Sequence, residues 1–138
     1  MRTRKGSIVT GYAKMWPRAV FDMKEANKHP IDAKALLQDS GVYVLYRDDM
    51  PYYVGKTARR LWRRIWAHAS RPRDRYYNFW NYFSAFVVPN QKHLDEIEGV
   101  LIASMPTENS AIRRIQRIHI PVAIAKRIHA VRLIKPEA

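Results

Sequence analysis

The chain has no cysteine among its 138 residues, which excludes disulfides, thiolate zinc sites and cysteine nucleophiles, so any bound metal must sit on oxygen or imidazole ligands. No run of residues approaches the ~18 uninterrupted apolar positions that cross a bilayer. Met1-Arg2-Thr3-Arg4-Lys5 is not followed by the apolar core of a secretion signal. A soluble, cytoplasmic protein without a membrane span is expected. Acidic residues are scarce: 12 Asp and Glu stand against 25 Lys and Arg, a formal charge of +13. Polyanions are the natural partners of such a surface, because binding phosphates releases their counterions; anionic lipid is attracted by the same field. Repeats, low-complexity tracts and linkers are also missing, and 47% apolar content suffices for one core. A single domain over residues 1–138 is expected.

What is present divides that domain into three stretches. Residues 1–39 are basic and interrupted by Gly6, Gly11, Pro17 and Pro30, which predicts an irregular arm with a short helix around Val20 to Asn27 and another from Ile31 to Gln38. Residues 40–109 carry the regular elements. Gly41 to Tyr46 is β-branched and aromatic, Arg47-Asp48-Asp49-Met50-Pro51 is turn-like, and Tyr52-Tyr53-Val54-Gly55 follows, a hairpin signal. Leu61, Ile65 and Ala69 recur every fourth residue and predict a helix over Ala58 to Ala69; Phe79 to Val88 suits a third strand. Leu94, Ile97, Leu101 and Ile102 predict a helix from Gln91 to Met105. Residues 110–138 are expected to form a basic helical extension in which Pro121 opens the last helix, with isoleucines packed on the sheet and arginines in solvent, the alternatives being a phosphate-gripping surface or a basic amphipathic element on a membrane surface. The expected class is α+β: a small three-stranded, mostly antiparallel sheet flanked by helices.

The hairpin places Gly41-Val42-Tyr43 ten residues before Tyr53-Val54-Gly55. Downstream come Leu61 and Arg64, then Glu98-Gly99-Val100-Leu101-Ile102, then Pro106-Thr107-Glu108-Asn109. This ordered set, covering roughly Ser40 to Asn109, resembles the GIY-YIG nuclease family, with valine for isoleucine at 42 and 54. Each tripeptide alone would be an ordinary strand aromatic. The resemblance implies a metal-dependent endonuclease that hydrolyses DNA phosphodiester bonds, with Tyr43, Tyr53, Arg64 and Glu98 at its centre, His68 assisting proton transfer, Lys56 and Asn109 in support, and Mg2+ or Mn2+ on Glu98.

Local geometry bears on that assignment. At about 100° per residue, Leu61, Ile65 and Ala69 share the inward face of their helix, Arg63 points nearly opposite, and Arg64 and His68 flank the stripe. Glu98 lies between Leu94 and Ile102 at the edge of a buried stripe, with Asp95 and Glu96 projecting elsewhere. If residues 47–51 form the hairpin loop, Tyr53 pairs with Leu45 and lies on the face of Tyr43, about 7 to 8 Å away. A four-residue loop puts the two tyrosines on opposite faces.

Phosphodiester hydrolysis needs an activated water and stabilised phosphoryl charge. In the implied roles Tyr43 accepts the water's proton, Tyr53 orients water or phosphate, and Arg64 holds the scissile phosphate bidentately. Arg63, Arg71, Arg73, Arg75 and Lys56 are candidate DNA contacts, interleaved with Trp62, Trp66, Tyr76, Tyr77, Phe79, Trp80 and Tyr82, which suit either a base-stacking platform or core packing. His29, His93, His119 and His129 lack metal-ligand spacing. Two other function classes remain: a catalytically silent nucleic-acid-binding module, and a nuclease subunit targeted by a partner protein.

Overall fold

A computed structural model describes residues 6–22, 35, 37–109, 116 and 118–130 of the chain. In chain order they form strand β1 (Gly11–Pro17), a 3-10 turn (Arg18–Phe21), strands β2 (Gly41–Arg47) and β3 (Met50–Thr57), and helix α1 (Leu61–Ser70). Strand β4 (Tyr82–Val87), a second 3-10 turn (Gln91–His93), and helices α2 (Leu94–Ser104) and α3 (Val122–Ala130) follow. The class is α+β, as expected, but the sheet has four antiparallel strands in the order β1-β4-β2-β3, not three. The added strand comes from the segment expected to be irregular. β1 breaks the alternation that marks a strand because its pairing with β4 shifts between Ala13 and Trp16. There Met15 takes a positive φ of 52° and its N–H donates to Ser84 Oγ at 3.1 Å.

Side-chain alternation in β2 divides the core into two layers. Tyr43 and Leu45 point to one face and pack with Leu61 and Ile65 of α1 and with Trp80 and Phe83. Val42 and Val44 point to the other and pack with Val54, Val88 and Leu94, backed by Ile97 and Leu101 of α2. The sheet is therefore covered by one helix on each face near β2 and β3. Both Leu61 and Ile65 are fully buried; truncating either to alanine is expected to cost about 2 to 5 kcal/mol.

Helix α1 begins at Leu61 rather than Ala58 because its first free N–H groups find partners only there. Leu61 N donates to Asp39 O at 3.0 Å and Trp62 N to Leu37 O at 2.9 Å. At the other end Arg18 Nη2 donates to Ala69 O at 2.7 Å, and its guanidinium lies over Tyr77 and Trp80. The third strand expected over Phe79 to Val88 is shorter, leaving Phe79 and Trp80 in the loop before β4.

α3 starts after Pro121, whose carbonyl accepts from Ile124 and Ala125. The burial expected for the C-terminal isoleucines is not found where the chain is described: Ile118 is 92% exposed, and Ile120 and Ile124 are also exposed. Most of the helices expected over 31–38 and 20–27, and the start of the C-terminal extension, lie outside the described residues. Among the described residues no helix is long and apolar enough to cross a membrane.

Candidate active site

The hairpin register fixes where the two tyrosines go. Its strands pair as far as Arg47↔Met50, leaving Asp48-Asp49 as the turn, Asp48 with a positive φ of 56°. The expected loop over 47–51 is thus too long. Continuous pairing from so tight a turn would set Tyr53 against Val44, on the face away from Tyr43. A bulge intervenes: Tyr46 pairs with Pro51 and Leu45 with Tyr53, so Tyr52 is the extra residue. Tyr43 and Tyr53 consequently share the α1 face, ring centroids 6.3 Å apart.

Glycine at 55 follows from the same register. Gly55 pairs with Tyr43, and a Cβ built there would lie 2.3 Å from both Cζ and Oη of the phenol. Only a bare backbone lets the ring lie across the strand. Gly41 is equally confined, a Cβ there falling 2.1 Å from Phe86 O.

The Tyr43 hydroxyl ends on His68 of α1, Oη to Nε2 at 2.7 Å, and His68 Nδ1 lies 2.9 Å from both carboxylate oxygens of Asp74. A carboxylate only accepts, so Nδ1 carries the proton, Nε2 is the acceptor, and Tyr43 donates to it. Tyr43 has 0% of its surface exposed and His68 6%. Burial, reinforced by Tyr53, pushes the Tyr43 phenol well above its ordinary range, with Arg64 opposing. Burial also lowers the His68 pKa, against the pull of Asp74, so the imidazole is neutral at pH 7 and free to take a proton. Asp74 is itself fixed by accepting from Tyr76 N at 2.8 Å in the loop after α1.

Arg64 is exposed at the mouth of this arrangement, beside Tyr43 and Tyr53, whose phenols both feel its charge. It lines a cleft of about 200 Å³ together with Arg59, Arg60, Arg63 and Arg71. The helical wheel set Arg63 away from Arg64, yet both line this cleft because it opens onto solvent at the start of α1. Arg73 is exposed but is not part of its walls, and Arg75 lies over the Tyr76 ring at 5.5 Å.

Lys56 and Glu98 belong to the opposite layer. Lys56 Nζ donates to Glu98 Oε1 at 3.1 Å and also contacts Asp95. Asp95 therefore does not project elsewhere: three residues before Glu98 on α2, it shares that helix face. β3 is an edge strand, and Glu98 lies close enough to its rim for its charge to help raise the Tyr53 pKa, behind burial and Tyr76. Asn109 closes the same edge. Its Oδ1 accepts from Val54 N at 2.8 Å and its Nδ2 donates to Val54 O at 2.7 Å, as a neighbouring strand would, while Glu108 N donates to Tyr52 O at 2.9 Å.

The sequence-predicted residues thus gather as Tyr43, Tyr53, Arg64 and His68 on the α1 face, with Lys56 and Glu98 across the β3 edge and Asn109 along it. Asp74 carries no motif that marks it in the sequence, although it is the one acidic residue between Asp49 and Asp95. Among the described residues no group of three or more His, Asp or Glu side chains is placed to hold a metal. No protein-family model matches the chain, and neither curated proteins nor solved structures match it significantly.

Proposed function

We propose that this chain is a divalent-metal-dependent DNA endonuclease of the GIY-YIG type. The observation that carries the reading is the Asp74–His68–Tyr43 hydrogen-bonded chain ending beneath Arg64, a guanidinium that opens onto an arginine-lined cleft. A phenol with a raised pKa is a poor base unless its proton has somewhere to go. Neutral His68 provides that place, and Asp74 stabilises the imidazolium that results.

In this mechanism Arg64 takes the scissile phosphate in two parallel hydrogen bonds. The attacking water gives a proton to Tyr43 as Tyr43 gives its own to His68 Nε2. Tyr53, half-buried above them, orients the water. Tyr43 has no accessible surface in the free chain, so the Arg64 or Tyr53 side chain shifts as substrate enters. Oxygen donors fit a hard cation: Glu98, with Asp95 beside it, offers carboxylates at the rim, and Mg2+ needs only one or two of these when it keeps water and shares substrate oxygens. When bound, such an ion stabilises charge on the phosphoryl and leaving oxygens. Lys56 holds the Glu98 carboxylate in place.

Full burial of Tyr43 is the feature that favours the competing reading, a nucleic-acid-binding module without activity. The two separate on cleavage of labelled single-stranded, duplex and branched DNA by wild type and Glu98→Ala, each with Mg2+, Mn2+ or EDTA. Metal-dependent cutting that the substitution abolishes supports the nuclease; binding by both proteins with no cutting by either leaves the binding module.

A further inference from the structure

Beside the arginine cleft runs a ladder of aromatic rings. Tyr53 stacks on Tyr76 with centroids 4.2 Å apart, and Tyr76 meets Tyr52 edge to face at 6.1 Å. Tyr52 then lies parallel to Phe79 at 5.7 Å and an interplanar angle of 4°. The ladder begins at a proposed catalytic residue and ends in solvent, for Phe79 is 46% exposed. Tyr52 is free to join it because it is the bulge residue, without a pairing partner on β2.

A core cluster would hide its largest rings; here the outermost ring is the most open. Cations also accompany the rings, Arg75 over Tyr76 at 5.5 Å and Arg71 over Trp66 at 5.8 Å. Arg71 belongs to the wall of the cleft that contains Arg64. The loop 71–80 therefore joins a phosphate-attracting cleft to an aromatic ladder whose outer ring, Phe79, is exposed. That pairing suits a single strand, whose backbone follows the positive groove while its unstacked bases lie on rings. A duplex, with its bases already stacked on each other, has no use for it.

We propose that Phe79, backed by Tyr52 and Tyr76, forms a stacking platform for an unpaired DNA base adjoining the Arg64 phosphate site, so that the preferred substrate presents single-stranded DNA there. The placement relative to the scissile phosphate rests on the nuclease reading; the binding preference does not.

The test measures affinity in EDTA for three labelled oligonucleotides: a single strand, the same strand in duplex, and the same strand carrying abasic sites. Wild type is expected to bind the single strand tightest and to lose roughly 5- to 150-fold on the abasic strand, which keeps the phosphates and removes the stacking. Phe79→Leu should weaken single-strand binding while leaving the abasic and duplex affinities unchanged; Phe79→Trp should retain it, with tryptophan fluorescence quenched by the strand. Equal wild-type affinity for the intact and abasic strands overturns the platform, whatever the variants do. Cleavage assayed in parallel with Mg2+ separates the two proposals. Metal-dependent cutting together with equal affinity for the intact and abasic strands rejects the platform and leaves the nuclease, whereas base-dependent binding without cutting of any substrate does the reverse.

Discussion

Gly55 lies directly opposite Tyr43 in the hairpin, and the phenol occupies the space that a side chain at position 55 would need. Because the Tyr43 ring is fully buried and tied to His68, it cannot swing aside. Gly55→Ala should cost about 1 to 3 kcal/mol through overpacking, seen as a lower Tm, and should break the 2.7 Å hydrogen bond between Tyr43 and His68. An unchanged Tm would mean that the ring has room that the hairpin geometry denies it.

In the proposed relay His68 must be neutral to receive the proton of Tyr43, and burial lowers its pKa below the ordinary 6.5. Cleavage should therefore rise with pH along a limb centred below 6.5 and level off above it. Asp74 raises that pKa, so Asp74→Asn should move the limb to still lower pH while reducing the plateau rate about 10- to 1,000-fold, through a weaker and misoriented base. A limb unmoved by Asp74→Asn would remove His68 from the relay.

The same group affects stability. In the unfolded chain His68 binds its proton more tightly than in the folded one, so its contribution to stability is present above pH 6.5 and is lost as pH falls from there toward the folded-state value. Denaturant midpoints measured across this window should decline for wild type. They should decline less for His68→Gln, which does not titrate.

Asn109 completes the hydrogen bonding of Val54 on an otherwise open strand edge. Asn109→Ala should cost about 1 to 3 kcal/mol by leaving part-buried backbone groups without their partner. Asn109→Asp should do no better, since it replaces the donor to Val54 O with an acceptor. Urea denaturation of the two variants checks this, and recovery of wild-type stability by aspartate would contradict it.

The cleft formed by Arg59, Arg60, Arg63, Arg64 and Arg71 concentrates positive charge without carboxylates in its walls. Replacing Arg60 and Arg63 with glutamine should weaken DNA binding at every sequence and flatten the dependence of log K on log salt by about 0.7 to 0.9 for each phosphate that is no longer neutralised. An unchanged slope would place the DNA elsewhere.

Local periodicity made much of this protein legible from its residues. Alternation along Val42 to Leu45 and fourfold spacing of Leu61, Ile65 and Ala69 identify β2 and α1, because these depend on near neighbours alone. The shared face of Tyr43 and Tyr53 also followed from counting residues, although by way of a bulge at Tyr52 and not a long loop. Tertiary structure decided the rest. β1 takes its identity from β4, nearly seventy residues along the chain. Asp74 reaches His68 only because the loop after α1 turns back on itself, and Lys56 reaches Asp95 and Glu98 only because α2 packs beside β3. The β1–β4 pairing and the Lys56 contacts join segments far apart in the chain, whose separate sequences carry no signal of each other, and only the folded sheet with α2 packed against it brings them within reach.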